Sequence, residues 1–178
     1  MTRYWQADTM KRRRFLSLRE RYARRGKRFV HLDESGFAAS TQRTYGYAPV
    51  GVRVYGRVSA HSRPRTSLLS ARDTQGLIAP ILFDGSCNAA LFNQWLEEHL
   101  TPELTHNDVV IMDNAAFHKT PETRRIIEAA GATLLYLPPY SPDLNPIEHD
   151  FAAIKKIREY NHTKTLDEII KSYKYLWA

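Results

Sequence analysis

Four consecutive apolar residues, Val109-Val110-Ile111-Met112, run straight into Asp113. A run without alternation fits a strand buried on both faces, and such a strand needs a sheet with helices above and below it. The flanking sequence supplies them. Thr120-Pro121-Glu122 opens a helix with an N-cap, a proline at the first helical position and an acid in the first turn. Thr133 to Leu137 reads as the next strand, and Asn145-Pro146-Ile147-Glu148 opens another helix, with Phe151, Ile154 and Ile157 turned inward. Thr165-Leu166-Asp167-Glu168 is a capping box that starts a last short helix.

Upstream the pattern differs. Residues 9–25 predict a helix with Thr9 as N-cap, Phe15, Leu18 and Tyr22 along one stripe, and Gly26 as its stop. Phe29 to Asp33 predicts a short strand. Val50 to Val58, Thr66 to Ala71 and Leu77 to Phe83 predict three more, the first two parted by the turn-rich stretch Ser59 to Pro64. Asn88 then caps a helix carrying Leu91, Phe92, Trp95, Leu96 and Leu100 at helical spacing. Antiparallel-looking strands followed by strand and helix alternation imply a mixed sheet with helices on its faces.

The chain has 178 residues, 43% of them hydrophobic, which is enough for one domain with its own core. A single cysteine, Cys87, rules out a disulfide framework and a cysteine-based zinc site. No apolar run reaches the roughly eighteen residues of a membrane span, so no membrane partner is expected. The charge is unevenly placed. Residues 1–28 hold eleven Lys or Arg against Asp8 and Glu20, a net of +9, while the other 150 residues sum to −2. A second stretch, Arg43 to Arg72, has six arginines and no acid. Such blocks suit a polyanion, with each neutralised phosphate releasing counterions, and they equally suit a solvated helix face. The nucleic-acid reading puts Lys11, Arg12, Arg13, Arg14, Arg24, Arg25, Lys27, Arg28, Arg43 and Arg53 on DNA phosphates.

Asp33 and Asp113 each close a hydrophobic strand, and ligands of open α/β sheets sit beyond the carboxyl ends of the strands. Glu148, at the third position of its helix, offers a third carboxylate. Three carboxylates around one point make a hard oxygen site for Mg²⁺ or Mn²⁺, and two such ions clamp the attacking and leaving oxygens of a phosphoryl displacement. Taken singly, each acid has a plainer role. Asp33 and Glu34 suit a solvated strand end where only one side chain faces the cleft. Asp113-Asn114 suits a loop-opening turn, Glu148 the far half of a helix cap, and His118 a hydrogen-bonding loop histidine. No HExxH, CxxC or GxxxxGK[ST] string occurs, which leaves zinc-hydrolase and P-loop chemistry without support.

Three blocks decide between these readings. His31-Leu32-Asp33-Glu34-Ser35-Gly36-Phe37, Val110 to His118, and Leu137-Pro138-Pro139-Tyr140-Ser141-Pro142-Asp143-Leu144-Asn145-Pro146-Ile147-Glu148 resemble the catalytic blocks of mariner-type DDE transposases, closest to the bacterial insertion sequence 630 group. Thirty-four residues part Asp113 from Glu148, as in that group, and Tyr45 to Pro49 and Phe83 to Asn88 also resemble it. The resemblance covers roughly residues 28–160. It implies an RNase H-like fold, a mixed five-stranded sheet flanked by helices, over residues 29–178, preceded by a basic helical arm over residues 1–28. It implies Asp33, Asp113 and Glu148 as ligands of two Mg²⁺ or Mn²⁺ ions, with Asn114 and His118 behind them or on DNA. Cut-and-paste transposition at TA dinucleotides follows, with transposon ends and target DNA as partners, a dimer that pairs the ends, and the bacterial cytoplasm as the setting. The group carries helix-turn-helix modules ahead of this domain, and here only a basic helix precedes Asp33. Two other functions stay open: another nuclease of the same fold, told apart by cleavage of an RNA–DNA hybrid, and a DNA-binding remnant that lacks catalysis.

Overall fold

A computed structural model describes residues 6–38, 47–53, 55, 65–161 and 163–175, the side chains of the last two residues excepted. Five strands form one sheet in the order β3-β2-β1-β4-β5. These are β1 (Arg28–Phe37), β2 (Thr66–Asp73), β3 (Gly76–Asp84), β4 (Asp108–Met112) and β5 (Thr133–Tyr136). β1, β2 and β3 are joined antiparallel, whereas β4 and β5 run parallel to β1. This is the mixed five-stranded sheet that the family resemblance implied.

Every residue of β4 is buried, because helices cover the sheet on both sides. On one side lie α2 (Ala89–Trp95), which continues as a π-helical turn over Leu96–Leu100, and α3 (Pro121–Ala129). Phe92, Trp95, Leu96, Leu100, Ile126 and Ile127 from these helices bury Val30, Leu32, Val110 and Met112. Each large side chain buried in this way contributes about 1.5–3 kcal/mol. The other side carries α1 (Thr9–Arg24), α4 (Ile147–Tyr160) and α5 (Leu166–Tyr175). Phe15 of α1 packs on Val109, Ile111 and Leu137, while Phe151 and Ile154 of α4 join Ile169, Ile170 and Phe37. No helix among the described residues is long and apolar enough to cross a membrane.

Several local expectations hold. Thr120 caps α3 through Thr123 N–H at 3.0 Å, and Asn88 caps α2 through Leu91 N–H at 2.9 Å. The capping box of α5 closes both ways between Thr165 and Glu168. Gly26, with φ 70°, lets the chain leave α1 as expected.

Others are corrected. Asp8, not Thr9, caps α1, since its carboxylate accepts from Met10 and Lys11 N–H. Asp33 does not end β1; the strand runs on to Phe37 because β2 pairs with it up to Phe37↔Thr66. Pairing of β1 with β4 stops at His31↔Ile111, so Asp33 lies just past the end of the parallel ladder, which is the position that matters. Val50 and Gly51 form a turn, closed from Val52 N–H to Pro49 C=O, where a strand was expected; residues 54 and 56–58 of that expected strand lie outside the described residues. Pro146 rather than Asn145 stands at the N-cap of α4, which makes Glu148 the second residue of the helix.

The basic segment is no detached arm. Arg12 is buried and makes a bidentate ion pair with Asp143, at 2.8 and 2.6 Å. Arg28 forks onto Asp108 at 2.7 and 2.8 Å and reaches Asp73 at 3.2 Å. Both guanidinia are therefore spent inside the fold, and their expected place on DNA is withdrawn. Lys11 and Arg24 are exposed and pair with Asp8 and Glu20 on their own helix. Lys27 donates to His106 C=O at 2.7 Å. Arg13, Arg14, Arg25 and Arg53 are exposed, and Arg43 lies outside the described residues.

Candidate active site

The end of the parallel ladder, the loop between β5 and α4, and the first turn of α4 together wall one cavity of about 530 Å³. Asp33 from β1, Asp113 from the residue after β4, and Glu148 from α4 all line it. Alternation places Asp113 on the side of the sheet that α1 and α4 cover, because Ile111 and Val109, two and four residues back, face that side as well. Asp33 takes the same side, since Leu32 before it faces α2 and α3.

Each carboxylate is held differently. Asp33 Oδ1 accepts from Glu34 N–H at 2.8 Å, and Oδ2 accepts from the Asn145 side-chain amide at 2.9 Å. Burial raises the Asp33 carboxyl to about 7; the charges of Asp113, Glu148 and Glu34 add to this, and the Glu34 N–H opposes it. Asp113 Oδ1 accepts from Ala115 N–H at 2.9 Å and meets His118 Nδ1 at 2.5 Å. Burial pushes Asp113 up too, but these two contacts and the charges of His118 and Lys119 outweigh it and hold the group below its usual range. Glu148 is exposed on the cavity wall. Like charges thus converge on the space between the three acids.

Both residues expected behind the acids are there, and neither is available to DNA through the atoms it uses. His118 is 1% exposed, clamped by the Phe92 and Phe117 rings at 4.3 and 4.2 Å between centroids, which leaves Asp113 as its partner. The Asn114 side-chain amide donates to Leu137 C=O, tying the end of β4 to the start of the third block.

Sequence reasoning missed four participants. Asn145, read there as part of a helix start, instead orients Asp33; it is 2% exposed, and its Oδ1 is a buried atom without a partner. Glu34 points to the opposite face as alternation requires, yet its Oε2 faces His118 Nε2 at 3.8 Å, both atoms being buried and unsatisfied. Tyr140 and Lys119 line the cavity. Position within the third block was the only sequence signal for Asn145 and Tyr140, and Glu34 gave none beyond its place beside Asp33.

Residues 28–170 match the family of DDE superfamily endonucleases. No curated protein sequence matches the chain. Among solved structures it is similar to the Mos1 transposase paired-end complex with left transposon end, at 20% identity over 99% of this chain and 58% of that one, with a TM-score of 0.72. It is similar to the mariner Mos1 paired end complex with Mg at 21% identity over 100% of this chain and 57% of that one, TM-score 0.73. The catalytic domain of Mos1 mariner transposase aligns at 19% identity over 99% and 94% of the two chains, TM-score 0.52. At such identities the likeness is one of fold, and that fold is RNase H-like. The chain spans somewhat over half the length of the Mos1 chains in the paired-end complexes. With 143 of its 178 residues inside the family match, the chain belongs to the DDE superfamily endonucleases.

Proposed function

We propose that this chain is the catalytic domain of a DNA transposase, cutting DNA at the ends of a mobile element and joining the freed 3′-hydroxyl to target DNA, with Asp33, Asp113 and Glu148 as its metal-binding carboxylates. One observation carries the reading: three acids from three separate elements line one cavity, and two of them help to hold a proton on the third. Mutual repulsion of that kind is what a site meant for a cation carries when only the protein's own charges are present. All-oxygen donors suit Mg²⁺ or Mn²⁺, the ions named with Mos1 structures. Among the described residues no three His, Cys, Asp or Glu are gathered tightly enough to hold an ion as they stand.

Two divalent ions, when bound, lower the pKa of the attacking water and steady the leaving oxygen of the phosphodiester. The chain's own residues prepare that chemistry. Asn145 and the Glu34 N–H fix the plane of the Asp33 carboxylate. His118 and Ala115 hold Oδ1 of Asp113, which leaves its other oxygen for the cavity. Glu148, exposed on the first turn of α4, is the acid with most room to move. Exposed Arg13, Arg14 and Arg25 supply cations for duplex phosphates. In keeping with the paired-end Mos1 complexes, two copies would pair the two ends.

A nicking assay with Mn²⁺ tests this. Asp113→Asn keeps the shape and removes a charge, so cleavage should fall by about a hundredfold or more, the loss of roughly 2.7 kcal/mol of transition-state stabilisation, while duplex binding persists. A variant that nicks as fast as the parent would end the proposal.

A further inference from the structure

Tyr140 has φ 55°, and among the described residues only one other non-glycine residue, Ala79, shares the left-handed region. A side chain there crowds its Cβ against the backbone, so the conformation persists only where the surroundings impose it. Here they do. Before Tyr140, Leu137 N–H bonds to Met112 C=O at 2.8 Å and the Asn114 amide bonds to Leu137 C=O. After it, Ser141 Oγ donates to Pro139 C=O, Asn145 N–H bonds to Pro142 C=O at 2.8 Å, and Arg12 grips Asp143. Pro138, Pro139 and Pro142 stiffen what lies between. The chain is fastened on both sides of Tyr140, and the residue itself is left 62% exposed on the wall of the cavity that holds Asp33, Asp113 and Glu148.

Core packing does not explain an aromatic ring displayed in this way, and a fold would not retain the strain for solvent. Resting on the transposase reading above, we propose that Tyr140 is a stacking platform for an unpaired nucleobase at the end of the DNA strand presented to the three carboxylates. A paired base is sandwiched by its neighbours and offers no free face. A terminal base splayed from the duplex offers one, and it costs least to unpair where the strand ends. Stacking on an aromatic ring tolerates any base, because each has a π-face. The platform would thus fix the register of the strand end without reading its sequence. Lys119, on the same wall, is suited to a phosphate of that strand.

Two duplexes that differ only in whether a fluorescent adenine analogue at the strand end is unpaired or paired are titrated with the full chain in Ca²⁺, which takes carboxylate oxygens in loose geometry. The parent should quench the unpaired analogue on binding. Tyr140→Ala should lose the quenching and bind the unpaired end about tenfold more weakly, the range of one base stack, while paired-end affinity stays within about twofold. Tyr140→Phe should match the parent in both. Tyr140→Gly separates strain from function: it should bind as poorly as Tyr140→Ala, yet melt at the parent's temperature or above, since glycine relieves the left-handed backbone. A Tyr140→Ala variant that quenches and binds the unpaired end like the parent overturns the platform and leaves the transposase reading intact. A parent that binds neither duplex overturns both.

Discussion

Asp33 and His31 stand two residues apart on one face of β1 and respond to pH in opposite ways. Unfolded, the Asp33 carboxyl gives up its proton near 3.8; in the fold it keeps it to about 7. Across that window the folded state binds more protons, so this residue makes stability fall as pH rises. His31 is buried, and that burial, helped by the charges of Arg19 and Arg72, lowers its pKa from 6.5 to about 4. There the unfolded state binds more protons, so stability rises over nearly the same window, and the two contributions largely cancel. Asp33→Asn removes one and exposes the other. Between about pH 4 and about pH 7, melting temperatures of the variant should climb relative to the parent by roughly 2–8 °C, as one to two kcal/mol gives for a chain of this size once partial exposure is discounted. A gap that stays constant with pH would mean that Asp33 ionises normally in the fold. Neither shift is legible in the sequence, which records a strand ending in an acid and not how deeply that acid is set.

Helix α1 is the element whose role the sequence described least well. Its charge suggested an arm for DNA, but Arg12, Phe15, Arg19 and Tyr22 share one stripe, and that stripe meets the sheet. Arg12 and Asp143 side chains are 10% and 11% exposed, so Arg12→Ala would strip an almost buried carboxylate of its bidentate guanidinium. Denaturant unfolding should show a loss of about 3 kcal/mol, whereas Arg13→Ala, one residue along on the exposed side, should cost less than about 0.5 kcal/mol. Equal effects would mean that α1 is not docked. Lys11 and the three arginines that follow it, Arg12 to Arg14, look alike as text; the 100° step per residue sends only Arg12 into the core. A hint was available, since Arg12 lies three residues before Phe15.

For the molecule as a whole, these internal pairs revise the count of charges left for DNA. Arg13, Arg14, Arg21 and Arg25 are exposed and enter no ion pair among the described residues. If those four meet phosphates, a plot of log K against log salt should slope near −3.6, at about −0.9 per contact. Replacing Arg13 and Arg14 together by glutamine should flatten it by about 1.8. Deleting α1 is no substitute for this experiment, because the deletion would uncover Val109 and Ile111. An unchanged slope in the double variant would move the DNA-binding face elsewhere, with Arg53 the next cation to replace.

What the sequence determined was whatever depends on local pattern. The uniform burial of β4 follows from four apolar residues in a row, the caps of α2, α3 and α5 from residue types at fixed offsets, and the three acidic blocks from their order and spacing. Tertiary structure decided whatever depends on which distant groups meet. The ladder between β1 and β2 carried β1 four residues past Asp33. Asn145 became a partner of Asp33 across 112 residues, and Arg12 a partner of Asp143 across 131. Periodicity states which face a side chain occupies but not what stands opposite it, and the charge, burial and pKa of the cavity acids are set by what stands opposite.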